Sequence, residues 1–325
     1  MKHILYIITI LFISHNLSGQ ARYFDERYIS TLSLLNPVII NPGATGLTGN
    51  HKVSANYKNK WATFPGSPKS YLVSYDGPLV DRLGFGILAS TDSNGSLETT
   101  KVQGSLSYRI ESANNVIGAG ITGEYINHNV SGDVLTNRYV DSGDVLVQSR
   151  VDGNGFFDVS LGLYGIFDQR ITYGIALPSL ASSMINGEAS DAFDREVGFI
   201  ANIGYIYSPA NVDAIFEPSL FIKQLNNVPF HADINLLGRF GDDKFRGGVT
   251  YTVGGDERVG FIIGGTFNAL GLNYSYNASR HEFQTYNNGT HEFSIQIDIS
   301  GSSDKRNNTS LLDEILPEQN LESNK

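Results

Sequence analysis

The strongest constraint in this chain is a period of two. His291 to Ser300 reads HEFSIQIDIS, with Phe293, Ile295, Ile297 and Ile299 on one side and Ser294, Gln296 and Asp298 on the other. Residues 156–165, FFDVSLGLYG, set Phe157, Val159, Leu161 and Leu163 against Asp158, Ser160 and Gly162. Residues 100–110, TKVQGSLSYRI, set Val102, Leu106, Tyr108 and Ile110 against Gln103, Ser105, Ser107 and Arg109. Successive side chains of a strand point to opposite faces, so each segment carries one apolar and one polar face.

Segments of this kind recur from residue 51 to 300, separated by turn residues, and predict about fourteen strands. Their expected spans are 51–58, 69–76, 82–91, 99–110, 115–126, 156–166, 170–177, 196–207, 212–223, 230–240, 244–253, 257–266, 269–277 and 290–300. The connections sort by length. DGPLVDR, SANN, FDQ, SPAN, DDK and FNAL are short and fall at one end. Residues 127–155, 178–195 and 277–290 are long and fall at the other, with GGDER as a short exception. A soluble sandwich has no reason to sort its loops, whereas an outer-membrane barrel has short inner turns and long outer loops.

A soluble barrel hides its apolar face, and a membrane barrel turns it to lipid. The predicted polar face holds Arg109, Glu124, Asp158, Glu217, Lys223, Arg239 and Arg246, a mixture that suits a hydrated lumen of paired charges. Charged residues are only 17% of the chain, with 35 Gly, 17 Tyr and 18 Phe, which fits β structure with lipid outside. Tyr57, Tyr75, Tyr108, Tyr125, Tyr207 and Tyr276 near strand ends are candidates for interfacial girdles. Lys2 and His3, the apolar run Ile4–Ser14 and the small residues Ser18 and Gly19 read as an export signal. The absence of Cys removes thiol and iron–sulfur chemistry and disulfides, and a net charge of -10 argues against nucleic acid.

GAGITG at 118–123 matches a dinucleotide-binding pattern, but no helix follows, so Gly118, Gly120 and Gly123 are read as lumen-face glycines that make room for something inside. His281 and His291 lie near Glu282 and Glu292, a grouping read as a solvated loop rather than a metal site. No catalytic constellation and no cofactor motif emerges, so a non-enzymatic role is expected.

NPVIINPGATG at 36–46 precedes the first strand. Proline fixes φ and removes a donor, and it pushes the residue before it out of the helical region, so this stretch is neither a regular helix nor a central strand. Val38, Ile39 and Ile40 nevertheless need cover, which predicts a plug-like segment in the lumen or at its inner mouth.

Three stretches together, NPVIINPGATG at 36–46, WATFPGSPKSYLVSYDGPL at 61–79 and GTHEFSIQIDI at 289–299, resemble the PorP/SprF family of the type IX secretion system of Bacteroidetes. Pro42-Gly43-Ala44, where an aromatic is common, and the polar extension after Ser300 depart from the pattern. The resemblance marks Asn36, Pro37, Asn41, Pro42, Gly43, Trp61, Pro65, Gly66, Pro68, Asp76, Gly77, Pro78, His291 and Glu292 as motif residues for partner contact or the plug. It implies an outer-membrane protein that anchors or receives a secreted or cell-surface protein bearing a type IX C-terminal signal, with links to gliding motility. It also implies periplasmic partners, peptidoglycan-associated ones or other type IX components.

The chain is thus expected to divide into a signal peptide (1–19), a plug or leader (20–50), an all-β transmembrane antiparallel barrel (51–300) and a polar periplasmic tail (301–325), with both termini periplasmic. A rival expectation is a fatty-acid-transporter-like or porin-like channel for small solutes.

Overall fold

The computed structural model describes residues 25–299 apart from 137, 142–143, 185–197, 211, 226–227, 256 and 281. The expected signal peptide and tail, residue 20–24 of the leader and most of the expected 178–195 loop lie outside the described residues.

The strands are β1 (Lys52–Asn59), β2 (Lys69–Val80), β3 (Leu83–Asn94), β4 (Leu97–Ser112) and β5 (Asn115–Val130). They continue as β6 (Asn154–Phe167), β7 (Ile171–Met184), β8 (Phe199–Tyr205), β9 (Ala214–Leu225) and β10 (Val228–Phe240). The last four are β11 (Phe245–Val253), β12 (Arg258–Phe267), β13 (Leu270–Ser279) and β14 (Thr290–Asp298). Each pairs antiparallel with the next, and β14 pairs with β1 (Lys52 opposite Asp298), closing a barrel of 14 strands. Closure leaves no edge, which is what a sheet needs in hydrocarbon.

The alternating faces sort as expected. Val102, Leu106, Tyr108 and Ile110 of β4 are exposed on the outer wall, while Thr99, Lys101, Gln103, Ser105 and Ser107 are buried inside. In β14, Phe293, Ile295 and Ile297 face out and Glu292, Ser294 and Gln296 face in. Outward aromatics gather at two levels. Tyr57 meets Tyr71 at 5.1 Å and Tyr125 meets Phe157 at 5.4 Å toward one end. Tyr75 meets Phe85 at 6.4 Å and Phe216 meets Phe240 at 6.0 Å toward the other. These are the positions of interfacial belts around an apolar band.

One end, called here the short-turn end, carries the start of β1, the end of β14 and the turns at 81–82, 113–114, 168–170 and 268–269. The opposite, loop-bearing end carries 131–153, which contains a short helix α1 (Val145–Asp152), and 280–289. The sequence has no signal for α1, because its apolar residues make no one-sided stripe. Length sorting is incomplete: the β3–β4 connection at the loop-bearing end is only the pair 95–96. At the short-turn end the expected DGPLVDR turn shrinks to Asp81 and Arg82. β2 continues through Pro78 by a register shift between Pro78 and Val80, and a bulge tolerates proline's missing donor.

Candidate functional site

The lumen is occupied by the chain's own N-terminal segment. Residues 26–44 make four single 3₁₀ turns: Glu26–Ile29, Thr31–Leu34, Pro37–Ile39 and Pro42–Ala44. Each Asn-Pro step starts one of the last two. Proline suits a first helical position, where its missing N–H is no loss, and its fixed φ pre-forms the turn. The Asn41 side chain caps the second of these, accepting from the Gly43 N–H at 2.9 Å.

The segment traverses the barrel from one mouth to the other. Glu26 meets Lys58 near the loop-bearing end of β1 (2.7 Å) and Lys60 in the following turn (3.4 Å). Asn36 Nδ2 donates to Ser54 Oγ, lower on β1, at 3.1 Å. The Gly46 N–H donates to Asp76 Oδ2 at the short-turn end of β2, at 3.2 Å. The chain then turns into β1. Asp25 and Asp298 therefore lie at opposite mouths of the barrel, while the expectation that both termini are periplasmic concerns residues 1–24 and 300–325, which lie outside the described residues.

Its middle supplies the core. Tyr28, Ile39 and Ile40 of the plug pack in one buried cluster with the inward-facing Leu72, Leu88, Ala176, Ile200, Phe221 and Leu225 of the wall, and Leu34 joins them. Ile39 and Ile40, between the two Asn-Pro steps, thus find cover inside the lumen, where a water-filled channel would have left them wet, and Val38 is half-buried.

The two halves of the plug are held by different means. Toward the short-turn end, backbone lies on backbone. A Cβ on Gly118 would overlap the Gly43 carbonyl, and one on Gly120 would overlap the Pro42 carbonyl. One on Gly43 would come within 2.6 Å of the Tyr164 nitrogen. Ser107 Oγ donates to the Gly43 carbonyl at 3.2 Å, and Asn41 Nδ2 donates to the Leu163 carbonyl at 2.9 Å.

Toward the loop-bearing end, charges do the holding. Asp25 pairs with Arg27 (2.6 Å) and Lys101 (2.8 Å), and Arg27 pairs with Glu124 (2.8 Å) and also bonds Gln103. Burial alone would raise the Glu26 carboxyl, but the ammonium groups of Lys58 and Lys60 outweigh it and bring it down to about 2. Burial likewise opposes ionisation of Asp25, and Arg27 and Lys101 overcome it to hold that carboxyl well below its ordinary range. Burial pushes the Tyr28 phenol far up, so it stays neutral. Glu292, 2% exposed, accepts from Ser30 Oγ (2.6 Å) and from the Thr31 and Leu32 N–H groups (3.1 and 3.4 Å). It satisfies the start of a turn whose own Ser30 makes no cap bond.

Of the motif residues, Asn36, Pro37, Asn41, Pro42, Gly43, Asp76 and Glu292 come together in the plug and its seat. Trp61, Pro65, Gly66 and Pro68 form the β1–β2 loop at the loop-bearing end, where Trp61 and Gly66 have φ of 55° and 72°. Two backbone bonds of 2.8 Å tie that loop to 280–289, from Ala62 N–H to the Gly289 carbonyl and from Asn288 N–H to the Ala62 carbonyl. Gly77 and Pro78 stay at the short-turn end. His291 and Glu292 separate, because neighbours in a strand face opposite ways. His291 meets Tyr274 OH at 2.7 Å on the outer wall, and Glu292 enters the lumen. The expectation for the glycines is corrected at Gly123, which lies on the outer face with nothing near its Cβ position. Its odd offset from Gly118 and Gly120 already carries that parity. Asp25, Glu26 and Arg27 were not anticipated, since charges in a leader read as solvated, and neither were their partners Lys58 and Lys101 on β1 and β4.

The family described as type IX secretion system membrane protein PorP/SprF matches residues 24–297 of the chain. No curated protein matches it in sequence. Among solved structures it is similar to the Acinetobacter baumannii outer membrane protein Omp33, at 8% identity over 78% of this chain and 98% of that one, with a TM-score of 0.44. It is similar to the CymD monoaromatic hydrocarbon channel at 12% identity over 83% and 91%, TM-score 0.47. It is also similar to the Ralstonia pickettii toluene transporter TbuX at 11% identity over 86% and 96%, TM-score 0.46.

Proposed function

This chain belongs to the PorP/SprF family of type IX secretion system membrane proteins and is an outer-membrane β-barrel, and from that premise we propose that it is a plugged, non-enzymatic docking barrel. Its loop-bearing face looks outward and anchors or receives a secreted surface protein carrying a type IX C-terminal signal. Its short-turn face, with the end of β14, looks into the periplasm and meets peptidoglycan-associated or other components of the machinery.

The observation that carries this reading is the plug, which crosses the lumen and buries a shared apolar core with the wall. A conduit for small solutes needs a continuous path, and the packed core stands across it. The ordered seam between the 60–68 and 280–289 loops favours a recognition surface, because a docking face benefits from preorganisation.

Affinity purification from the native outer membrane in mild detergent tests the reading. The expected result is co-purification of a large surface protein or a periplasmic partner. A clean monomer would count against it. In a planar bilayer the intact protein is expected to pass little current, and a steady open-channel current would restore the channel reading.

A further inference from the structure

The wall around the outer half of the plug recognises main chain as well as side chains. Lys223 Nζ, on β9, donates to the Tyr28 carbonyl at 2.8 Å, and Arg258, on β12, donates to the Ile29 carbonyl at 3.2 Å. Glu292, on β14, accepts the Thr31 and Leu32 amides, while the Ser30 amide bonds the Arg27 carbonyl. Carbonyls are thus met by cations and amides by a carboxylate, from three strands, within residues 28–32 of one peptide. Lys58 and Lys101 receive the carboxylates of Glu26 and Asp25 at the head of the same peptide. These contacts would read any chain that sets carboxylates at its head and open backbone carbonyls and amides behind them. The inner half differs, because its glycine-to-backbone contacts leave no space for another sequence.

We propose that the outer vestibule is a peptide-binding site for a short acidic segment of a partner protein, and that residues 25–32 occupy it in cis. The proposal rests on the partner-docking reading and assigns that partner's point of entry. The occupant's chemistry follows from the charges present. Lysines at the mouth take carboxylates, and the Lys223, Arg258 and Glu292 groups take the backbone behind them. The incoming segment displaces the outer turns as far as Leu34, while the Asn36–Gly46 half stays locked. A site filled by its own chain shows an outside ligand only the fraction of time it stands open, so loosening the cis segment tightens apparent binding in proportion.

The test uses the full-length protein in detergent and a fluorescent peptide with the sequence of residues 25–34, DERYISTLSL. Glu26→Gln removes the charge held by Lys58 and Lys60. The peptide is expected to bind this variant about tenfold more tightly than the unaltered protein, by the open-fraction relation, and a scrambled peptide is expected not to bind. A second readout does not depend on that variant. Ser30→Cys, in a chain that otherwise lacks cysteine, is expected to react faster with maleimide when the peptide is present. Equal affinity for both proteins, no binding to either, equal binding of the scrambled peptide, or labelling indifferent to the peptide overturns the proposal. The assay needs no cellular partner, so its failure is distinct from a failed co-purification.

Discussion

Gly43 of the plug and Gly118 of β5 meet backbone to backbone. A side chain on Gly118 would have to occupy the space of the Gly43 carbonyl oxygen. Gly118→Leu is therefore expected to unseat the inner plug and cost at least the ~1–3 kcal/mol typical of overpacking. Gly123→Leu, on the outer wall with open space around it, is expected to be tolerated. The thermal midpoint for loss of the heat-modifiable band on a denaturing gel separates the two.

Glu292→Ala strips the partner from the Thr31 and Leu32 amides and from Ser30. Leaving buried donors unpaired costs about 1–3 kcal/mol. Glu292→Gln keeps an acceptor and should recover part of that loss. Urea unfolding in defined micelles measures both.

Arg27→Met leaves Glu124 buried beside a neutral side chain, and breaking such a pair costs about 3–5 kcal/mol. Adding Glu124→Gln to Arg27→Met is expected to restore stability, since the penalty comes from the orphaned charge. If the double variant is no more stable than the single one, the ion pair is not what holds the outer turn.

The Glu26 carboxyl sits at about 2, below its ordinary 4.5. A depressed acid contributes stability that is complete above the unfolded value and lost as pH falls through the folded one. Docking of the outer plug is therefore expected to be constant from neutral pH down to about 4.5 and to weaken between there and about 2. The reactivity of Ser30→Cys cannot be read in acid with maleimide, so hydrogen exchange of the residue 26–34 amides across that window is the measurement.

Asp25 and Asp298 mark opposite mouths. An epitope inserted just ahead of Asp25 is expected to be reached by antibody from the loop-bearing side, and one placed after Ile299 only from the other. On intact cells this means labelling of the first and none of the second until the outer membrane is opened. Equal protection of both would place Asp25 away from an accessible mouth.

Much of this architecture was legible locally. The alternation in HEFSIQIDIS assigns Phe293 outward and Glu292 inward, and parity also explains why Gly118 and Gly120 face the lumen while Gly123 does not. The two Asn-Pro steps exclude regular structure, and the structure has a 3₁₀ turn at each. Asp25, Glu26 and Arg27 were illegible because a charge in a leader looks the same whether it meets water or a buried lysine.

By itself, then, the sequence determined the strands, their two faces, the closure into an even-numbered barrel and the need to cover Val38–Ile40. These are short-range consequences of side-chain alternation and proline geometry. Only the tertiary structure decided that residues 25–46 run through the lumen from the loop-bearing mouth to the other. It also decided that Lys58, Lys101, Lys223, Arg258 and Glu292 converge on one short peptide. Those residues are scattered from β1 to β14 and become neighbours only when the last strand pairs with the first, because closing the sheet turns positions far apart in sequence into facing walls of one narrow space.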